Sequence, residues 1–193
     1  MVIAVDLDGV VFDTEEYFRT YAHIYDIYKV KNGLVKKDGM TFIERHAWTQ
    51  EESDIFYKSY TPLILNNAPI KPGVKYVLNE LKNMGHKLIC ITLRGFFNEN
   101  EIEITERRLK EENIVFDKII YKESNKAKAC KEENVGVIIE DNNNNIKYLT
   151  DNKIKCLHFR AIGLKKVRNK YVTEVHNWAE ILEYFKKAGK NGK

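Results

Sequence analysis

The chain has 193 residues, 44% of them apolar and 31% charged, enough for one core, or a core with a small insertion, without disulfides or a structural metal. The net charge of +4 is mild, and basic and acidic residues intermix along most of the chain; this suits a small anionic ligand and argues against a nucleic-acid polymer as partner. Three cysteines without C-x-x-C spacing offer no disulfide framework, and no run approaches the roughly twenty apolar residues of a membrane span.

Residues 2–5 form a short apolar run ending at Asp6, read as a buried strand with carboxylates at its carboxyl end. Asp6 and Asp8 also interrupt any amino-terminal secretory pattern, so a reducing, cytoplasmic location is expected. Residues 14–70 differ in texture. They are rich in Tyr, Phe, Lys and Glu, with helical patches at 15–27 and 51–65, and are read as a helical insertion. Asp13 followed by Glu16 resembles a helix capping arrangement. Tyr17, Phe18, Tyr21 and Tyr25 recur at helical spacing, as the core of such an insertion would require.

Pro69 and Pro72-Gly73 break this pattern. Helices and strands then alternate. Helix 74–84 closes on Gly85, strand 87–93 follows, then helix 99–112, strand 118–121, helix 126–133 and strand 135–139. Helix 145–152, strands 154–159 and 172–176, and helix 178–187 complete the series. The basic tail, 186–193, reads as a solvated end. The run 142–145 of four Asn reads as a turn and helix N-cap. Cys90 and Cys156 fall in apolar runs and read as small buried hydrophobes. The pattern predicts an α/β fold: a Rossmann-like, three-layer parallel sheet (residues 1–13 and 71–193) with a small helical cap (residues 14–70) inserted after the first strand.

A parallel sheet gathers its strand ends at one edge, where ligands bind. Here that edge receives Asp6 and Asp8, Thr92 and Arg94, and Glu140 and Asp141, with Lys126 opening the helix before the fourth strand. Clustered carboxylates repel one another, and a divalent cation relieves this. Oxygen donors without His or Cys favour a hard ion, best Mg²⁺. Each signal has a plainer reading. Asp-x-Asp-Gly also occurs in turns and calcium loops, Thr92 is an ordinary strand residue, Lys128 competes with Lys126, and Glu140-Asp141 also suits a helix start.

The string Asp6-Leu7-Asp8-Gly9-Val10-Val11-Phe12-Asp13-Thr14 resembles the first motif of the haloacid dehalogenase (HAD) superfamily of hydrolases. Thr92, Lys126 and Glu140-Asp141 resemble its second, third and fourth motifs, in family order. The strings 91–95 and 139–142 are similar to those of bacterial 5′(3′)-deoxyribonucleotidase-like proteins, with Leu93 departing from the usual Ala. The resemblance implies a Mg²⁺-dependent phosphomonoesterase. Asp6 attacks phosphorus to form an aspartyl-phosphate, and Asp8 acts as acid and then base. Thr92 binds a phosphoryl oxygen and Lys126 neutralises charge. Asp6, Asp141 and the main-chain carbonyl of Asp8 hold the metal, with Glu140 orienting that shell. It points to (deoxy)nucleoside monophosphates as substrates. Sugar phosphates or phosphoglycolate are the alternative, and a binding protein without turnover is a more distant one. Arg94, Arg45 and His46 are candidate substrate contacts, with Trp48 as a stacking surface and Phe12 facing either a base or the core. Dehalogenation does not call for the second aspartate or the metal-binding acids.

Overall fold

A computed structural model describes residues 1–37, 41–160 and 166–190. Strand β1 (Val2–Val5) leads into helices α1 (Thr14–Tyr25), α2 (Phe42–His46) and α3 (Gln50–Asn67). The chain continues through α4 (Val74–Asn83), β2 (Lys87–Ile91), α5 (Asn100–Glu111), β3 (Lys118–Ile120), α6 (Lys126–Glu132), β4 (Val135–Glu140) and α7 (Asn143–Asp151). It ends with β5 (Cys156–Phe159), β6 (Val172–Val175) and α8 (Trp178–Lys190). The six strands form one sheet, every pairing parallel, in the order β3-β2-β1-β4-β5-β6. The predicted three-layer α/β architecture is therefore the observed one.

The alternation of strand side chains builds two core layers. Ile3 and Val5, with Leu88, Cys90, Val137 and Ile139, pack with residues of α4 and α8 such as Leu78, Leu81, Trp178 and Ile181. Ala4, with Ile89, Ile91 and Ile138, faces the opposite way, toward Ala129 and Cys130 of α6 and Ile146 and Leu149 of α7. A strand buried on both faces needs apolar residues at every position, which is why β1 and β4 read as continuous apolar runs. The strand order reverses between β1 and β4, so a crevice opens beyond their carboxyl ends.

Helices α1–α3 bury a separate aromatic cluster around Tyr25, Trp48, Phe56 and Ile64. Rings meet edge-on, as at Tyr25–Trp48, 5.0 Å apart and 83° inclined, the arrangement aromatic quadrupoles favour. The segment's two ends are tied together. Asp13 N–H donates to the Pro69 carbonyl at 2.8 Å, and Lys71 N–H donates to the Val11 carbonyl at 2.8 Å. No described helix is long and apolar enough to cross a membrane.

Several local expectations change. Asp13 N-caps α1 without a side-chain cap bond; its carboxylate instead pairs with Lys71 Nζ at 2.8 Å, a longer-range contact that local pattern does not encode. The capping box is at Thr49 and Glu52, which start α3. Helix α2 has no counterpart in the sequence reading, and α1 continues as a π-helical turn over Asp26–Val30. Helix α8 runs to Lys190, three residues past its expected end, with Ile181, Leu182 and Phe185 buried, while residues 186–189 of the basic tail are exposed, as a solvated end requires. Gly85 does close α4 with φ +82°, and Asn142 does cap α7.

Candidate active site

Asp6 follows β1 directly, and its N–H donates to the Ile139 carbonyl at 3.0 Å, extending the ladder against β4. The chain then turns sharply, the Leu7 carbonyl accepting from the N–H groups of Val11 (2.9 Å) and Phe12 (2.8 Å). Gly9, at φ +74°, permits this turn, and a Cβ there would lie 1.9 Å from Asp141 Oδ2. Only glycine lets the loop carrying Asp8 approach the Asp141 carboxylate so closely.

Lys126 opens α6, which Asn125 caps. Its buried ammonium lies 2.8 Å from Asp6 Oδ1 and 2.6 Å from Glu140 Oε2. Burial alone would lower the Lys126 pKa, but the two carboxylates outweigh it and hold the lysine charged. Burial lifts Asp6 more than Lys126 lowers it, with Glu140 adding repulsion, and its pKa is pushed up to about 7. Asp141 rises well above the carboxylate range, through burial first and then repulsion from Glu140 and Asp6.

Thr92, just past β2, is 1% exposed and lines the same cavity as Asp6 and Lys126, its hydroxyl accepting from Arg94 N–H at 3.3 Å. The cavity, about 480 Å³, is also lined by Asp8, Arg94, Asp141 and Asn145, and on the helical side by Phe18, Phe42, Arg45 and Tyr57. The residues expected at the sheet edge thus converge, and Arg45 faces them from α2.

Arg94 is placed differently from the expectation. It lines the cavity, but its guanidinium is committed to protein: Nε and Nη2 donate to the two oxygens of Asp8 at 3.0 and 2.8 Å, and Nη1 donates to Thr105 Oγ1 at 3.1 Å. Its plane lies over the Phe12 ring, 4.7 Å from the centroid, so Phe12 belongs to the core beneath the site. Burial works to raise the Asp8 pKa, but Arg94, with Thr14, brings it below the usual value.

His46 and Trp48 are corrected as substrate contacts. Neither lines the cavity. His46 Nδ1 lies 2.9 Å from the Gly33 carbonyl, its ring stacks on Trp48 at 5.1 Å, and Trp48 Nε1 donates to buried Asp26 at 2.9 Å. Their polar atoms serve a knot that fixes the loops between α1 and α3.

Other residues in or beside the cavity escaped the sequence reading. Thr14 accepts from Gly9 N–H at 3.2 Å. Thr105 supports Arg94. Glu101 accepts from Gly95 N–H at 2.6 Å. Phe97 stacks on Tyr57 at 4.9 Å and 12°. Thr14 stood inside the quoted motif; the others left no local signal, since helix periodicity alone reveals no partner.

The site suits a divalent cation. Carboxylate oxygens of Asp6, Glu140 and Asp141 lie within 4.8 Å of one another. Glu140 is already occupied, accepting from Asn142 N–H (3.0 Å), Asn145 Nδ2 (3.2 Å) and Lys126. The Asp8 carboxylate is turned to Arg94, leaving only its main chain for such a role. Asp6 and Asp141 remain as the carboxylate ligands, and oxygen-only donors fit Mg²⁺.

The fold recurs in solved structures. A haloacid dehalogenase-like hydrolase from Streptococcus pneumoniae superposes with a TM-score of 0.69 at 18% identity, covering 95% of this chain and 97% of its own. The chain has the haloacid dehalogenase fold. A predicted phosphoglycolate phosphatase from Haemophilus somnus shares the haloacid dehalogenase fold at TM-score 0.62 and 13% identity, covering 95% of this chain and 97% of its own. Rhodobacter sphaeroides CbbY, in complex with xylulose-(1,5)bisphosphate, gives 0.59 at 17% identity, covering 93% and 95%. No family model and no curated sequence matches the chain.

Proposed function

We propose that this chain is a metal-dependent phosphomonoesterase of the haloacid dehalogenase type, with Asp6 as nucleophile. The observation that carries the reading is the buried Asp6–Lys126–Glu140 array, with Thr92 and Asp141 beside it, opening into one cavity. An Asp6 oxygen attacks phosphorus and the bond to the leaving alkoxide breaks, giving an aspartyl-phosphate. Asp8 donates the proton the alkoxide takes up. Water then attacks the phosphorus, Asp8 accepts its proton, and inorganic phosphate leaves with the Asp6 carboxylate restored. Lys126 and Thr92 receive the phosphoryl oxygens, and the charge of Lys126 lets a carboxylate approach an anion. Mg²⁺, when bound by Asp6 and Asp141, supplies further charge neutralisation. In this conformation Arg94 holds Asp8 ionised, so Asp8 acts as an acid only once a substrate loosens that pair.

The finer reading is a nucleotidase for (deoxy)nucleoside monophosphates. Phe18, Phe42, Tyr57 and Phe97 furnish apolar faces along the cavity, suited to stacking a base. A volume of about 480 Å³ is ample for a nucleotide and large for glycolate. Phosphate release from a panel of esters with Mg²⁺ is the test. Nucleoside monophosphates should lead in kcat/KM, and a clear lead by sugar phosphates or phosphoglycolate would leave the hydrolase and remove the nucleotidase.

A further inference from the structure

Two residues that line the cavity, Thr61 and Glu101, each carry a buried polar atom with no hydrogen-bond partner among the described residues, Oγ1 and Oε1. Thr61, on α3, is 5% exposed, and Glu101, in the first turn of α5, is 2% exposed. An unsatisfied buried polar group is costly, so native proteins seldom keep one without a use.

Both atoms belong to one seam. Helix α3 lies along α5, with Tyr57 stacked on Phe97 at one end and Asn66 bonded to Arg107 and Arg108 at the other. Thr61 falls between Tyr57 and Asn66 along α3, and both Thr61 and Glu101 line the cavity. The second Glu101 oxygen accepts from Gly95 N–H at 2.6 Å. That fixes the carboxyl group to the residue after Arg94, whose guanidinium grips Asp8. The Glu101 carboxyl therefore stands on the Asp8 side of the cavity, where the leaving alcohol departs.

We infer that Thr61 and Glu101 form a subsite for a hydroxyl group of the leaving alcohol, which rests on the phosphatase reading for its orientation. The hydroxyl donates to Glu101 Oε1 and accepts from Thr61 Oγ1–H. The substrate class is then the phosphate ester of a polyhydroxylated alcohol, a nucleoside or sugar. Simple alkyl esters leave both atoms unpaired, and a carboxylate-bearing alcohol such as glycolate presents no second hydroxyl and is repelled by Glu101.

Matched pairs test this: thymidine 5′-phosphate against its 3′-deoxy analogue, and glycerol 3-phosphate against propyl phosphate. Turnover is measured on the wild type, Glu101→Gln and Thr61→Val. Binding to each in an Asp6→Asn background is measured by calorimetry. The hydroxylated member of at least one pair should be preferred by about 10- to 100-fold, and both substitutions should draw that ratio toward one. Because the ratio is internal to each variant, loss of folded protein does not affect it. Discrimination absent from both pairs, or surviving both substitutions, overturns the subsite. Binding discrimination without wild-type turnover supports the subsite and sinks the phosphatase reading; turnover without discrimination does the reverse.

Discussion

Lys126 holds two carboxylates that would otherwise repel each other in a buried place. Removing one partner of such a group leaves uncompensated charge, at a cost of about 3–5 kcal/mol. Lys126→Met should show that loss by urea unfolding at pH 8 in metal-free buffer. The sign with pH follows from Asp6, whose folded pKa is about 7 against 3.8 ordinarily. A raised carboxyl contributes stability below its unfolded pKa that is lost as pH climbs through the folded one. Without Lys126 that pKa rises further, so the deficit should shrink at pH 5, and an equal deficit at both pH values would refute the assignment. Asp6→Asn should abolish phosphate release while leaving thermal unfolding nearly unchanged, because the amide keeps the shape and lacks the nucleophilic charge. Arg94→Lys keeps the charge but loses the two-pronged grip on Asp8; kcat/KM should fall about 10- to 100-fold in steady-state assays.

The helical segment shows how an element can owe its form to a few polar contacts. Asp26 accepts from Trp48 Nε1 and from Gly33 N–H at 2.7 Å, and His46 stacks against that tryptophan. His46→Ala should therefore destabilise the protein by about 1–3 kcal/mol, and should change kcat/KM by the same factor for every phosphate ester in the panel. A selective effect on one ester would return His46 to the substrate. Thr49→Ala removes half of the α3 capping box and should cost about 1 kcal/mol in denaturant unfolding.

At the scale of the molecule, the sheet concentrates acids around Lys126, which pairs with Asp6 and Glu140, and burial lifts both Asp6 and Asp141 above the usual carboxylate range. The metal-free protein therefore loses stability as Asp6 and Asp141 ionise, and a cation that binds only the folded state restores it. Mg²⁺ at about 100 times its Kd stabilises by about 2.7 kcal/mol, or about 5–10 °C in Tm at this size. The shift should be large at pH 8 and small at pH 5.5, where bound protons compete with the ion. A Tm shift independent of pH, read by differential scanning fluorimetry, would exclude these carboxylates as the ligands.

Local signals along the chain are enough to specify the sheet and its reactive edge. Strand period, short helices between strands, and the carboxylates after residues 2–5 and 135–139 are local signals, and a parallel sheet has one way to collect its strand ends. The partners of the reactive side chains are set by long-range packing instead. Arg94 reads as a cation beside a phosphate site until α5 brings Thr105, and the first loop brings Asp8, to its two edges. His46, next to Arg45 in sequence, points into an aromatic knot while Arg45 lines the cavity, because α2 is a single short turn with two faces. Glu101 and Thr61 lie forty residues apart on helices whose seam no local pattern announces. Backbone periodicity is set by neighbours in the chain, whereas side-chain partnership is set by long-range packing, and in this protein the chemistry of the site depends on both.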